Sequence, residues 1–335
     1  MSEQILAEAM KETLPGRSLR YAIQTRELTR RFGKLEAVDG LELQVPAGAL
    51  YGLIGPNGAG KTTTLRMLAG LLEPTQGEIR INDLPVRQYW RELQWQVGYM
   101  PDVFGVYTDL VVWEYLDFFA RCYRVAPERR QRVIDELLQL VDLSEKRDAY
   151  VQTLSRGMKQ RLCLAHALVH DPQILLLDEP ASGLDPRARV EMRELLRELS
   201  KMGKTIVLSS HILTELAELC DWVAIMERGK LVTSGPMAQI RSQVASHKLI
   251  RLTILSDLEQ ALALLNANAT VQQVYPRETA PDEPAQVEIE FNGDLAAAAE
   301  LLESLVRQRV RVAAFNEVTT DLEQAFLRLT KGEVA

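Results

Sequence analysis

The segment Gly55-Pro-Asn-Gly-Ala-Gly-Lys61-Thr62 leaves this chain little choice of fold. It is a complete G-x-x-x-x-G-K-[ST] pattern. The apolar run Tyr51-Gly-Leu-Ile54 precedes it, and Leu65, Leu68 and Leu72 follow at helical spacing. A strand that feeds a glycine-rich loop into the first turn of a helix aims backbone N–H groups and the positive end of the helix dipole at one point. The turn Gly55, Pro56, Asn57, Gly58, Ala59, Gly60 would therefore wrap a phosphate chain. Lys61 would reach the β- and γ-phosphates, and Thr62, with Thr63 beside it, would present its hydroxyl to Mg²⁺. An ordinary glycine-rich turn has no need of Gly, Lys and Thr in register after a strand. The pattern predicts a nucleoside triphosphate site on an α/β sheet.

The rest of the composition narrows the class. A length of 335 residues suits one large domain and a smaller one. With 47% hydrophobic and 25% charged residues the balance is that of a globular protein. A formal charge of −7 argues against a nucleic-acid partner, which calls for a basic footprint. No run approaches the roughly 20 apolar residues of a membrane span. The acidic opening Met-Ser-Glu-Gln-Ile-Leu lacks a basic segment followed by an apolar one, against the secretory pattern. Cys122, Cys163 and Cys220 are too scattered for a zinc or disulfide framework and fit a reducing compartment.

Residues 1–20 read as an extension ending near Pro15-Gly16, and residues 21–240 as the main domain. Strands are expected over Tyr21–Leu28, Leu41–Val45 and Glu78–Ile81. Helical spacing takes over from Leu110 to Ser144, inside an insertion spanning about 103–170. Trp113, Tyr115, Phe118 and Phe119 fall in this stretch, where core packing competes with contact to a partner helix. Ile174–Leu177, Thr205–Leu208 and Trp222–Ile225 are short continuous apolar runs, as in buried parallel strands. Strands alternating with helices predict a mainly parallel sheet covered on both faces. Residues 245–335 form a second, smaller α+β domain whose β-α-β-β-α-β order is ferredoxin-like, with a last helix over Asp321–Leu329.

Asp178 and Glu179 stand at the end of a buried strand. They could cap a helix. Beside a phosphate loop they better suit holding Mg²⁺ (Asp178) and deprotonating or orienting an attacking water (Glu179). His166 and His170, spaced i, i+4, have the form of a metal face, but no third ligand is placed for them.

Taken in order, the motifs resemble the nucleotide-binding subunit of ATP-binding cassette (ABC) transporters. Phe32-Gly33 with Ala37-Val-Asp-Gly40 is similar to that family's adenine-stacking element, and Gly55–Thr62 to its phosphate loop. Leu154-Ser155-Arg156-Gly157-Met158-Lys-Gln-Arg161 resembles the signature segment, and Asp178-Glu179 the carboxylate pair. Ser182-Gly-Leu-Asp185 resembles the loop that communicates between subunits, and His211 the switch histidine. The resemblance covers about residues 21–240. It implies a P-loop NTPase fold of ABC type, with ATP and Mg²⁺ as cofactors and ATP hydrolysis as the activity. Phe32 would stack on adenine, although a core aromatic is the competing reading. Glu179, His211 and Lys61 would be catalytic, and Thr62, Asp178 and Asp102 would serve the metal. Ser155, Gly157 and Asp185 would meet nucleotide across a head-to-tail dimer, so the resemblance implies two cassettes, here a homodimer.

Three positions depart from the family pattern. Asp102 replaces the usual glutamine that touches Mg²⁺ and the membrane subunit. Arg156 brings a cation that suits phosphate, and Met158 lacks the usual amide. The variant resembles export-type cassettes with a separate transmembrane permease, which implies a cytoplasmic protein peripheral to the inner face of the cell membrane. A soluble mechanical ATPase of the same fold, acting in translation or DNA maintenance, is the alternative. Acidic charge and the lack of long heptads or a basic arm weigh against it. In the second domain, an effector site competes with plain packing or dimer stabilisation, and no charged or glycine-rich cluster marks a ligand there.

Overall fold

The computed structural model describes residues 20–103, 105, 107, 109–245, 248–277 and 284–318. The N-terminal extension and the expected helix Asp321–Leu329 lie outside the described residues. The chain forms two compact units, one running to Met237 and one beginning at Ala238.

The first unit holds, in chain order, β1 (Tyr21–Phe32), β2 (Leu35–Leu41), β3 (Gln44–Pro46), β4 (Leu50–Ile54), β5 (Gln76–Ile81) and β6 (Leu84–Pro85). These are followed by β7 (Val97–Met100), β8 (Ile174–Leu177), β9 (Thr205–Ser210), β10 (Trp222–Glu227) and β11 (Lys230–Pro236). Strands β2-β1-β5-β6, with β3 also on β1, make an antiparallel sheet. Strands β11-β10-β4-β9-β8-β7 make the other sheet, parallel throughout except for the edge pair β10–β11. Every residue of β4, β8 and β9 is buried, which is why these strands read as continuous apolar runs without alternation.

The antiparallel sheet differs from its sequence expectation. The single strand expected over Leu41–Val45 is broken: Leu41 ends β2 and Gln44 begins β3. The buried hydroxyl of Thr25 stabilises the break, donating to Leu41 O at 2.7 Å and accepting from Leu43 N at 2.8 Å. A side chain from the preceding strand β1 thus satisfies backbone groups at the bend.

Between β7 and β8 the chain builds helices Val112–Cys122, Pro127–Leu140 and Arg156–Leu168. Tyr115 is buried there, Trp113 lies under the Arg147 guanidinium, and Phe118 stays exposed. His166 stacks on Phe119 with ring centroids 3.6 Å apart, and His170 on Tyr123 at 3.9 Å. The two histidines are packing elements. Burial pushes His166 down to about 4, so it stays neutral at physiological pH. Among the described residues no helix is long and apolar enough to cross a membrane.

The second unit comprises β12 (Lys248–Ile254), β13 (Val271–Arg277), β14 (Ala285–Phe291) and β15 (Val312–Val318), with helices Leu258–Ala267 and Leu295–Arg307 between them. The sheet order β13-β14-β12-β15 is antiparallel throughout, the split β-α-β arrangement of a ferredoxin-like unit. Ile250, Leu252, Ile254, Val287, Ile289 and Phe291 pack against the helices. Asp257 and Asp294 cap the two helices through Glu259 N and Ala297 N. Glu288 is 3% exposed and ion-paired with Arg251 at 2.8 Å and Arg277 at 3.0 Å. Burial would push its carboxyl up, but those two guanidiniums outweigh burial and hold it low.

Candidate active site

Four parallel strands end on one edge of the sheet, and each hands over to a loop bearing a candidate residue. β4 runs into Gly55, β7 into Pro101 and Asp102, β8 into Asp178 and Glu179, and β9 into His211. Their order, β4-β9-β8-β7, sets these loops side by side at the carboxyl edge, where open parallel sheets bind ligands.

The Gly55 loop enters the helix Lys61–Leu68 through Gly60, whose φ is +101°. A Cβ there would stand 2.5 Å from Ala37 O, so only glycine fits this turn. Asn57 and Gly58 are exposed, whereas Ala59 is buried. Lys61 is only 6% exposed. Its Nζ donates to Gly55 O at 2.7 Å and Pro56 O at 3.1 Å, and lies 3.8 Å from Glu179 Oε1. Burial pulls the lysine's pKa down, while Glu179 and Asp178 oppose that shift.

The carboxylates are tied together by a residue that no sequence motif marks. Ser209 Oγ donates to Asp178 Oδ1 at 2.7 Å and accepts from Glu179 N at 2.9 Å. The backbone of Glu179 sits in the left-handed region, φ +49°, where a side chain with a Cβ is strained. His211 Nδ1 lies 3.2 Å from Glu179 Oε1 and 3.1 Å from Oε2, so an Nδ1–H donates into this carboxylate. Lys61, Asp178, Glu179 and His211 are thus brought together.

Asp178 is 1% exposed and its Oδ2 is buried with no hydrogen-bond partner among the described residues. An orphaned carboxylate oxygen is costly unless a ligand completes it. That chemistry fits Mg²⁺, a hard cation that takes oxygen ligands. Among the described residues no group of three or more His, Cys, Asp or Glu could hold a metal alone. The remaining oxygens would have to come from phosphates, water and the Thr62 hydroxyl. Asp102 is exposed at the end of β7.

The other expected residues lie apart. Phe32 is 46% exposed at the end of β1, with the Arg30 guanidinium 4.6 Å over its ring. Ser155 is exposed and caps the helix Arg156–Leu168, accepting from Met158 N at 3.3 Å. Gly157 faces the helix Pro186–Lys201, where an added Cβ would meet Ala188 Cβ at 3.3 Å. Asp185 Oδ1 caps that same helix through Ala188 N at 3.0 Å. Arg156 donates to Ser182 O at 3.2 Å.

A family model described as ABC transporter matches residues 38–182. The Nod factor export ATP-binding protein I of Rhizobium meliloti (strain 1021) is 36% identical over 328 residues, or 97% of this chain and 93% of that protein. This chain belongs to the ABC transporter ATP-binding family. An uncharacterized ABC transporter ATP-binding protein of Synechocystis is 34% identical to this ABC protein over 88% of the chain and 78% of its own length. A solved ATP-binding subunit of an ABC transporter superposes with a TM-score of 0.60 at 29% identity, covering 68% of this chain and 94% of that one. The cbiO1 protein of Clostridium perfringens, described as part of the ABC transporter complex cbiONQ, gives 0.61 at 27% identity over 67% and 92%. The cassette fold, ATP binding and an ATPase coupled to transport come with membership. The Rhizobium match, at 97% of the chain, also takes in the second unit.

Proposed function

We propose that this ABC protein is the ATP-hydrolysing subunit of an exporter, working as a pair of cassettes on a separate transmembrane permease at the cytoplasmic face of the membrane. One observation supports the site assignment above all others. Lys61, the Asp178-Glu179 pair and His211 converge at adjacent strand ends, with Ser209 joining both carboxylates. The name of the Rhizobium relative supports export, and its cargo is not carried over. A soluble mechanical ATPase gains no support from the relatives.

In this reading the loop Gly55–Gly60 wraps the phosphates, and Lys61 exchanges its two loop carbonyls for the β- and γ-phosphate oxygens. Asp178 Oδ2, the Thr62 hydroxyl and Asp102, directly or through water, would hold Mg²⁺, which supplies charge neutralisation between the phosphates. Thr63 lies beside these phosphates. Glu179 takes the proton of the attacking water, and the histidine at 3.1–3.2 Å keeps its carboxylate aimed. Phe32 stacks on adenine, which suits an exposed ring at a hairpin tip. Ser155 accepts from Met158 N, so its own O–H remains free to donate to the partner's γ-phosphate alongside Gly157 N–H. The contact therefore survives without the amide that Met158 replaces. Asp185 Oδ1 is engaged as a cap, and only its second oxygen is left for the partner cassette. We assign residues 21–240 to the cassette, with its helical part over about 103–170, and 245–335 to an accessory domain.

The test is affinity purification of tagged Glu179→Gln protein from detergent-solubilised membranes with ATP and Mg²⁺. A stoichiometric multi-span membrane protein is expected, together with retained ATP binding and turnover reduced by about 100-fold or more. Recovery with ribosomal or DNA-handling proteins alone would reject the transport reading. Wild-type turnover in the variant would reject the role of Glu179.

A further inference from the structure

The loop Ser182–Asp185 is held from two sides. From one side Arg156 Nη2 and Gln160 Nε2 both donate to Ser182 O, at 3.2 and 3.0 Å. Gly183, at φ +65°, lies directly under the Arg156 guanidinium, and a Cβ there would come within 2.3 Å of its Cζ. From the other side Arg189 Nη2 donates to Leu184 O at 3.3 Å. Its Nε stands 3.1 Å from Oε1 of Glu215, on the helix Leu213–Leu219 that follows His211. Both atoms are buried with no well-aimed hydrogen bond among the described residues, so the attraction is ionic. Arg189, Glu215, Glu179 and His211 line one cavity of about 190 Å³. Burial pushes the Glu215 carboxyl up and Arg189 pulls it back.

We propose that Arg189 is a positioning residue for hydrolysis, tying the loop Ser182–Asp185 to the helix behind His211. The inference rests on the dimeric reading above. In that reading the signature segment of a chain serves its partner's nucleotide, and His211 serves the chain's own. Arg156 and Gln160 fix the signature helix to the loop, and Arg189 with Glu215 fixes the loop to the switch helix. The two ends of one chain then move as one body, and the state of one nucleotide reaches the other. Arg189 touches neither nucleotide; it acts through His211 and the loop.

The experiment is steady-state ATPase of the purified full chain against ATP concentration, with ATP binding titrated separately. Arg189→Ala is expected to lower kcat by about 10-fold and to bring the Hill coefficient toward one, with ATP affinity within about 2-fold of wild type. Arg189→Lys keeps a cation near Glu215 but cannot span both contacts, and falls between. The reversal Arg189→Glu with Glu215→Arg restores the ion pair and must exceed Arg189→Glu alone. Where Arg189→Ala fails to fold, the nearly isosteric Glu215→Gln carries the same comparison. Wild-type kcat and Hill coefficient in Arg189→Ala or Glu215→Gln overturn the proposal, as does a reversed pair no better than Arg189→Glu. A wild-type chain without cooperativity in ATP overturns it together with the dimeric reading. Failure of the ATPase reading shows separately, as a Lys61→Ala variant that turns over ATP normally.

Discussion

Replacing Ser209 by alanine tests whether one hydroxyl aligns the carboxylate pair. Its Oγ is fully buried, accepts from Glu179 N and donates to Asp178 Oδ1, so the change removes a neutral and a charge-assisted hydrogen bond at once. A neutral bond is worth about 1 kcal/mol and one to a charged group about 1.5–3 kcal/mol, so the loss should be about 2–4 kcal/mol. Asp178 already has one orphaned oxygen, and the substitution would strip the other of its donor. For a unit of this size the melting point should fall by roughly 5–15 °C. Differential scanning calorimetry without nucleotide reads this directly. Turnover should fall by about 10- to 100-fold as Glu179 loses its backbone anchor. Ser210→Ala is the control, since Ser210 Oγ accepts from Ile212 N within its own turn and touches neither carboxylate in this way. A Ser209→Ala protein melting within about 1 °C of wild type, with unchanged turnover, would refute the reasoning.

Three further outcomes are expected. Phe32→Ala should raise KM for ATP by about 10-fold with little change in kcat, since base–aromatic stacking is worth about 1–3 kcal/mol, and Phe32→Tyr should restore it. A loss confined to kcat would remove Phe32 from the binding site. His166 is held neutral in the fold, with a pKa near 4 against 6.5 unfolded. Its contribution is therefore complete above pH 6.5 and lost as pH falls through 4, on the order of 3 kcal/mol. A His166→Gln variant should show a shallower fall in melting temperature across that window, and parallel curves would count against burial as the cause. Glu288→Ala leaves Arg251 and Arg277 without their shared carboxylate; because both guanidiniums are part-exposed, the cost to the second unit should be about 1–2 kcal/mol, read from urea unfolding.

Phosphate chemistry writes itself into consecutive residues, which is why the loop Gly55–Thr62 is legible in the sequence by itself. A strand end, a glycine where Ala37 O leaves no room for a Cβ, and a lysine in the first helical turn all lie within eight positions. The buried strands β4, β8 and β9 are legible for a similar reason: burial on both faces leaves an unbroken apolar run. The break between β2 and β3 is hidden, because the hydroxyl that stabilises it belongs to Thr25 on β1. Ser209 is hidden too. It reaches Asp178 and Glu179 only because β9 lies beside β8 in parallel register, and strand neighbours are not written in either segment. Charge alone suggests Arg156 as a phosphate cation. In the fold its acceptor is Ser182 O, supplied by a loop 26 residues later.

The cassette is internally satisfied at the point where its ligand must act. The Lys61 ammonium is buried, bonded to two loop carbonyls and flanked by Glu179 at 3.8 Å. A phosphate chain must displace those carbonyls, so the net gain from the lysine is the difference between two sets of charge-assisted contacts rather than the whole of one. The carboxylate side is arranged the other way. Asp178 Oδ2 has no partner among the described residues, and Glu179 is kept in a strained backbone conformation by Ser209 and aimed by His211. In the proposed reading binding would therefore gain most where the fold has left a cost unrelieved, at the carboxylate side of the site. The phosphate loop sets where the nucleotide lies. In the proposed reading the strained, incompletely satisfied carboxylates are where nucleotide and Mg²⁺ would change the protein most, and Glu179 lines one cavity with the Arg189–Glu215 pair. On the proposed reading, in which hydrolysis is coupled to motion through the Glu179–His211 side, variants at Ser209, Arg189 or Glu215 should disturb turnover far more than they disturb ATP affinity.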